Sequence, residues 1–313
     1  MEVVVTGSLG YDYIMNFPGK FSDRIMPDKI HKISLSFLVD TLSKQMGGTA
    51  GNIAYSLNLL NTHPIILASA GNDFEPYLKF LQHNKISTTY IKIYEDVTTG
   101  SYFVVTDQDD NQIGSFYTGA LKYAPRLRIA TIKPLPGFAI LAPNDPKAML
   151  SFASECQESN IPYLFDPAFQ IENINKSGLH KAISRSQIFI GNDYEISLTE
   201  KILSLTHVQL TGMVPILITT LGAQGSIIEY SEKKIVIKPA KPKNISDPTG
   251  AGDAFRSGFV AGYMRGFDLK TCGQMGSVAA VYTVEKYGTM THKYLLKEFV
   301  ARYQKNFDQK LVL

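Results

Sequence analysis

Asp247-Pro248-Thr249-Gly250-Ala251-Gly252-Asp253-Ala254-Phe255-Arg256-Ser257-Gly258 is the run on which the reading of this chain turns. Pro248 fixes φ and offers no N–H, so the run opens as a rigid turn. Thr249 to Gly252 then gather backbone N–H groups with little side chain in the way. Phe255, Phe259, Gly262 and Tyr263 recur at helical spacing and mark the inner face of a following helix. A small-residue loop that opens a helix presents unpaired N–H groups and the positive end of the dipole, a setting for an anion. Asp253 in that first turn reads two ways. It complements the dipole, as acids in first turns do, or it is a base that takes a proton from a hydroxyl beside a phosphoryl group.

This run resembles the C-terminal signature of the PfkB (ribokinase-like) family of sugar and nucleoside kinases, and the wider pattern resembles the microbial adenosine/nucleoside kinases of that family. The resemblance implies an α/β fold: a ribokinase-like three-layer α/β/α sandwich with a small discontinuous β-sheet lid. It implies transfer of the γ-phosphoryl of ATP to a hydroxyl, with Mg2+ bridging the phosphates. Asp253 is then the general base, and the N–H groups of Gly250, Ala251 and Gly252 form the anion hole. Relatives also hold a monovalent cation, K+, between this loop and a later one, and Asp247 and Thr249 match the first half of that site.

The bulk composition narrows the alternatives. The 313 residues suffice for one large α/β domain with a decorating piece, and no linker or internal repeat divides them. The expectation is a single kinase domain over 1–313, with lid insertions at about 15–45 and 96–120. A net charge of +3 without a Lys/Arg run gives no reason to expect nucleic acid. Cys156 and Cys272 make neither a disulfide framework nor a Cys-x-x-Cys pair, and they suit a reducing cytoplasm. The chain starts directly on Glu2-Val3-Val4-Val5, with no signal-peptide pattern, and has no apolar run of about 18 residues, so no membrane role is expected.

In chain order, Val3 to Thr6 reads as a buried strand ending in Gly7-Ser8. Asp12 follows as the one acid in an apolar stretch, either an exposed loop residue or a carboxylate at a strand end, where such sheets place ligands. Its two acceptor oxygens suit vicinal hydroxyls, and the resemblance assigns it to the substrate. Ile33, Leu35, Phe37 and Val39 alternate in strand fashion. Gly47 and Gly48 then precede a helix carrying Asn52. Paired glycines permit close backbone approach, and Asn52 reads equally as a helix cap. The family's N-terminal signature puts this Gly-Gly-x-x-x-Asn on the sugar. Ribokinases usually carry Lys directly after the glycines, whereas this chain has Thr49.

Ser101 to Thr106 and Gln112 to Tyr117 read as a hairpin around the polar loop Asp107 to Asn111, outside the βα rhythm and so part of a lid. Tyr102, Phe103, Phe116 and Tyr117 are expected mostly to pack beneath it. From Phe138 onward βα units alternate regularly. Phe169 follows the strand Tyr163 to Phe165 and loosely matches an aromatic that stacks on the base in nucleoside kinases. Asn192 and Glu195 follow the next strand and read as a capping box. The family's Asn-x-x-Glu here orients magnesium-bound water and phosphates. Thr220, Gly222 and Gly225 form a turn after a strand, and the resemblance puts them on ATP.

No Gly-x-Ser-x-Gly, His-Glu-x-x-His, Walker or dinucleotide fingerprint is present. The expected acceptor is a nucleoside, adenosine first, because Lys is missing after Gly48 and Phe169 is present. A sugar or sugar-phosphate kinase is the rival, with Lys20, Arg24, Lys29 and Lys32 near the lid. A non-catalytic nucleoside sensor is the rival of another class, and a homodimer through the lid face is the expected self-association.

Overall fold

The computed structural model describes residues 2–32, 34–109 and 111–313. In chain order its strands are β1 (Val3–Thr6), β2 (Gly10–Asn16), β3 (Thr41–Gly47), β4 (Pro64–Gly71), β5 (Ile91–Tyr94), β6 (Gly100–Thr106), β7 (Gln112–Tyr117), β8 (Phe138–Leu141), β9 (Tyr163–Phe165), β10 (Ile188–Asn192), β11 (Ile216–Thr220), β12 (Ser226–Tyr230) and β13 (Lys233–Ile237). The larger sheet has the order β13-β12-β11-β10-β9-β8-β1-β4-β5. It runs parallel from β11 to β5, with β12 antiparallel to both its neighbours.

Both faces of this sheet are covered, which is why its central strands are apolar throughout. Val3 and Val5 pack into one core with the helices Thr49–Leu59, Glu75–His83, Ala251–Tyr263, Leu269–Val284 and Leu296–Phe307. Val4 faces the other core, with the helices Pro146–Glu158, Lys176–Ser184, Asp193–Leu203 and His207–Met213. The result is the expected three-layer α/β/α sandwich. Strand order reverses between β8 and β1, and the carboxyl ends of the strands at such a switch point are where doubly wound sheets form their ligand crevice.

The smaller sheet, in the order β3-β2-β6-β7, forms the lid. β2 pairs antiparallel with β3 and parallel with β6, and β7 pairs antiparallel with β6. Residues 34–39 form no strand; the lid strand begins at Thr41, and Pro27–Lys32 is a 3-10 helix. Phe37 instead packs at 5.0 Å centroid separation on both Phe17 and Phe21, so its apolar character serves a cluster under an irregular segment. Ile33 and Asp110, which belong to the alternating run and the polar hairpin loop, lie outside the described residues. The lid aromatics also depart from expectation. Phe103, Phe116 and Tyr117 stay 38–49% exposed; Phe103 and Tyr117 lie on one face of the four-stranded sheet, and Phe116, level with Tyr102 and Asp12, lies on the other. No helix among the described residues is long and apolar enough to cross a membrane.

Candidate active site

The signature helix Ala251–Tyr263 starts at Gly250, whose φ of 78° is left-handed and whose Cβ position is blocked by Thr289. No side chain caps it, so the first-turn N–H groups of Gly252 and Asp253 remain open at its positive end. The Ala251 N–H is engaged with Pro248 O at 3.2 Å, closing the turn that Pro248 begins. Of the expected anion hole, Gly250 and Gly252 therefore present the less committed donors. Asp247 braces the loop: Oδ1 accepts from Thr249 N at 2.9 Å and Oδ2 from Gly288 N at 3.1 Å. The loop and the later 286–289 segment are thus tied together through one carboxylate.

Asn52 meets this centre from the first helix. The helix begins at Thr49, and Asn52 N donates to Gly48 O, so Asn52 lies inside it and does not cap it. Its Nδ2 donates to Asp253 Oδ2 at 2.8 Å. That orientation is dictated, since a carboxylate cannot donate to an amide oxygen. Asn52 Oδ1 is left buried without a partner and is free to accept from a ligand hydroxyl.

Asp12 arrives from the lid, as the third residue of β2 opposite Gln45 of β3. It is therefore neither the exposed loop acid nor the residue ending β1. A Cβ at Gly47 would collide with its carboxylate, so Gly47 gives Asp12 its room. Gly48 has φ 89° and a Cβ there would meet Ser8 O at 2.6 Å, so this glycine lets the chain cross itself. Thr49 does not reach the crevice: its Oγ1 donates to Pro143 O at 3.3 Å, and Ser8 N donates to Oγ1 at 3.2 Å. Burial, followed by the Asp247 carboxylate, raises the Asp12 pKa to about 6.

On the other side of the crevice, Asn192 and Glu195 form a reciprocal capping box. Glu195 N donates to Asn192 Oδ1 at 2.8 Å, and Asn192 N donates to Glu195 Oε2 at 2.7 Å. The box fixes the carboxylate and leaves Oε1 uncommitted within it. Thr220 lies level with Asn192 on the neighbouring strand, its Oγ1 3.4 Å from Gly191 O. Gly222 has φ 55° with open space at its Cβ position, whereas a Cβ at Gly225 would strike Ile237 O, so Gly225 serves the turn against β13. Phe169 stands apart, 66% exposed after the left-handed Ala168.

Sequence reasoning missed two residues. Arg256 is buried and forms an ion pair with Asp166, which is 1% exposed just beyond β9. Burial pushes the carboxyls of Asp166, Asp253 and Glu195 up from their ordinary values, and the Arg256 guanidinium pulls each of them back. The available signal was a lone cation in the otherwise small and apolar stretch Ala254 to Gly262. A metal centre built from side chains alone is not what this crevice offers: among the described residues no group of three or more His, Cys, Asp or Glu could hold a metal ion. A magnesium ion carried mainly by phosphate and water needs only one or two carboxylates.

Residues 8–294 match the pfkB family carbohydrate kinase pattern, and the chain belongs to that family. It is an ATP-dependent kinase. Among relatives, the nucleoside kinase of Methanothermobacter thermautotrophicus is 32% identical over 295 residues, covering 93% of this chain and 92% of that one. The structure is similar to Burkholderia thailandensis nucleoside kinase in complex with ADP-inosine, at a TM-score of 0.87 and 31% identity, covering 98% of this chain and 97% of that one. It is also similar to Methanocaldococcus jannaschii nucleoside kinase, at a TM-score of 0.88 and 28% identity, covering 97% and 98%.

Proposed function

We propose that this kinase transfers the γ-phosphoryl of ATP to the 5'-hydroxyl of a nucleoside. The observation that carries the reading is the Asn52–Asp253 bond at the uncapped start of the signature helix, with Asp12 reaching toward it from the lid. Asp12 accepts from the ribose hydroxyls, and Asn52 Oδ1 accepts from a hydroxyl as well. Asp253, held by Asn52, takes the 5'-hydroxyl proton as the oxygen attacks phosphorus. The N–H groups at the helix start, led by Gly250 and Gly252 with Ala251 beside them, hold the charge on the transferring group. Thr220 and Gly222 border the ATP phosphates. Gly225 supports them by fixing the turn, and Phe169 offers an exposed face to the base.

Asn192 and Glu195 would hold Mg2+ through water, and the ion's chemistry is to bridge and neutralise the ATP phosphates. The half-buried Glu195 carboxyl suits that task, since burial disfavours its charge until a cation is near. K+ would lie beside the loops that Asp247 joins. Asp247 accepts one N–H at each oxygen, from Thr249 and Gly288, which holds the carboxylate in place and leaves each oxygen a further lone pair for the ion, with Thr249 beside it.

Adenosine heads the acceptors, with inosine beside it because the similar Burkholderia protein holds inosine. Lys20 is paired with Asp109 at 3.0 Å, which weakens the case for a sugar phosphate bound by lid cations. The whole chain acts as one kinase unit in a reducing cytoplasm, in keeping with its free, buried Cys156 and Cys272. The outer lid face carries Leu42, Phe103 and Ile113 exposed on one side of the sheet, which supports a homodimer through that face. A monomer mass by light scattering would remove that part.

The test is ADP release with Mg-ATP against adenosine, inosine, guanosine, cytidine, ribose, fructose and fructose 6-phosphate. Turnover with nucleosides ahead of the sugars is expected. Turnover with free sugars alone would overturn the nucleoside reading, and nucleoside binding without any turnover would favour a sensor.

A further inference from the structure

Arg256 is the one charged residue between Ala254 and Gly262. Every other position from Ala254 to Gly262 is buried and neutral, and Arg256 itself is 8% exposed. Burying a cation is costly unless it is paired and serves a purpose there. Helical side chains lean toward the N-terminus, so this one runs back one turn along its own helix. A Cβ on Gly252 would lie only 2.6 Å from Nη1, so the guanidinium rests against the Cα of Gly252. It therefore sits directly beneath the opening whose N–H groups face the crevice. Its Nε forms an ion pair with Asp166 Oδ2 without the alignment of a hydrogen bond, and Asp166 Oδ1 is buried with no partner.

We propose that Arg256, clamped by Asp166, is the positioning residue of the phosphoryl-transfer site: its guanidinium braces the Gly252 turn from beneath and supplies the cation shared by Asp166, Asp253 and Glu195. This deepens the nucleoside kinase reading and rests on it. Three carboxylates around one crevice repel each other and the incoming phosphates. One fixed cation in a poorly solvated setting offsets much of that, and it needs no reorganisation as charge moves. The other groups facing Asp253 cannot take this part. Asn52 from the first helix is neutral, Tyr77 from the helix Glu75–His83 has its phenol held well above the ordinary range by burial, and Asp166 beyond β9 is itself an anion. Arg256 favours the ionised Asp253 that a base requires, and a side chain at Gly252 would push the guanidinium from this place.

The test compares Arg256→Lys, Arg256→Gln and the double variant Arg256→Met/Asp166→Asn, which removes both charges and leaves none buried alone. Steady-state kinetics are paired with carboxyl NMR titration of Asp253 in the free protein. Arg256→Lys keeps the charge but loses the planar reach, and a fall in kcat of about tenfold is expected with KM for ATP little changed. Arg256→Gln and the double variant are expected to lose about 100-fold in kcat. The Asp253 titration midpoint rises in Arg256→Gln and moves back toward the wild-type position in the double variant, where a cation and an anion leave together, although kcat stays low in both. Folded variants with wild-type kcat and an unmoved Asp253 titration would overturn the proposal and leave Arg256 a structural ion pair. Should Arg256→Gln fail to fold, the lysine and double variants decide the matter on the same terms. A wild-type protein that phosphorylates no nucleoside would sink the acceptor reading alone, because the Asp253 titration needs no acceptor.

Discussion

Asp12 is kept in surroundings that disfavour its charge. Burial and the nearby Asp247 raise its pKa from 3.8 to about 6. A carboxyl raised in this way favours the folded state when protonated. Its contribution is complete below the unfolded value near 3.8 and is lost as pH rises through about 6. At neutral pH the ionised Asp12 therefore costs stability, while the proposed grip on the ribose hydroxyls uses it as a pure acceptor. Asp12→Asn should raise stability above pH 6, on the order of 1–2 kcal/mol, with little change below pH 4, and should weaken nucleoside binding strongly. Thermal denaturation across pH and calorimetric titration with nucleoside check both halves. In the wild type, kcat/KM for the nucleoside should fall as pH drops through about 6; a flat profile there would detach Asp12 from the hydroxyls. Asp12, Asn52 and Asp253 were legible as residues because each stands in a short motif. Asp166 and Arg256 were not, since their pairing joins a strand end to a helix ninety positions away and nothing local to either announces the other.

Elements were legible where one force dominated. Continuous apolar runs such as Val3 to Thr6 and Phe138 to Leu141 became strands buried on both faces. The hairpin Ser101 to Tyr117 was visible from its polar loop. β5 escaped notice because it is a four-residue edge strand interrupted by Lys92, and the 34–39 stretch misled because its alternation feeds a packing cluster instead of a ladder. The lid has its own fastening. Asp107 accepts from Phe21 N at 2.8 Å, and from Asp109 N and Asn111 N at 2.9 Å each, so one side chain joins the two insertions. Those bonds to the charged form hold its carboxyl below the ordinary range, although burial acts the other way. Asp107→Ala should speed amide hydrogen exchange in β6 and β7 while leaving β1 and β8 protected. Nucleoside KM should rise several-fold with KM for ATP nearly unchanged. Unaltered exchange in the lid strands would contradict this fastening role.

Across the molecule, the topology brings distant parts of the chain to one crevice. Asp12 comes from the lid, Asn52 from the first helix, Asn192 and Thr220 from the carboxyl ends of β10 and β11, and Asp253 from a helix that follows the last strand. A lid over such a site excludes water and so limits wasteful hydrolysis of ATP. The account's central claim is that Asp253 is the base at the centre of this arrangement. The direct measurement is nucleoside phosphorylation by Asp253→Asn against the wild type, with nucleoside affinity measured on the same preparations. An amide of the same shape cannot take the hydroxyl proton, so turnover should fall by about a thousandfold or more, with nucleoside affinity within a few-fold of the wild type. Turnover close to wild type in a folded, nucleoside-binding Asp253→Asn variant would contradict the account.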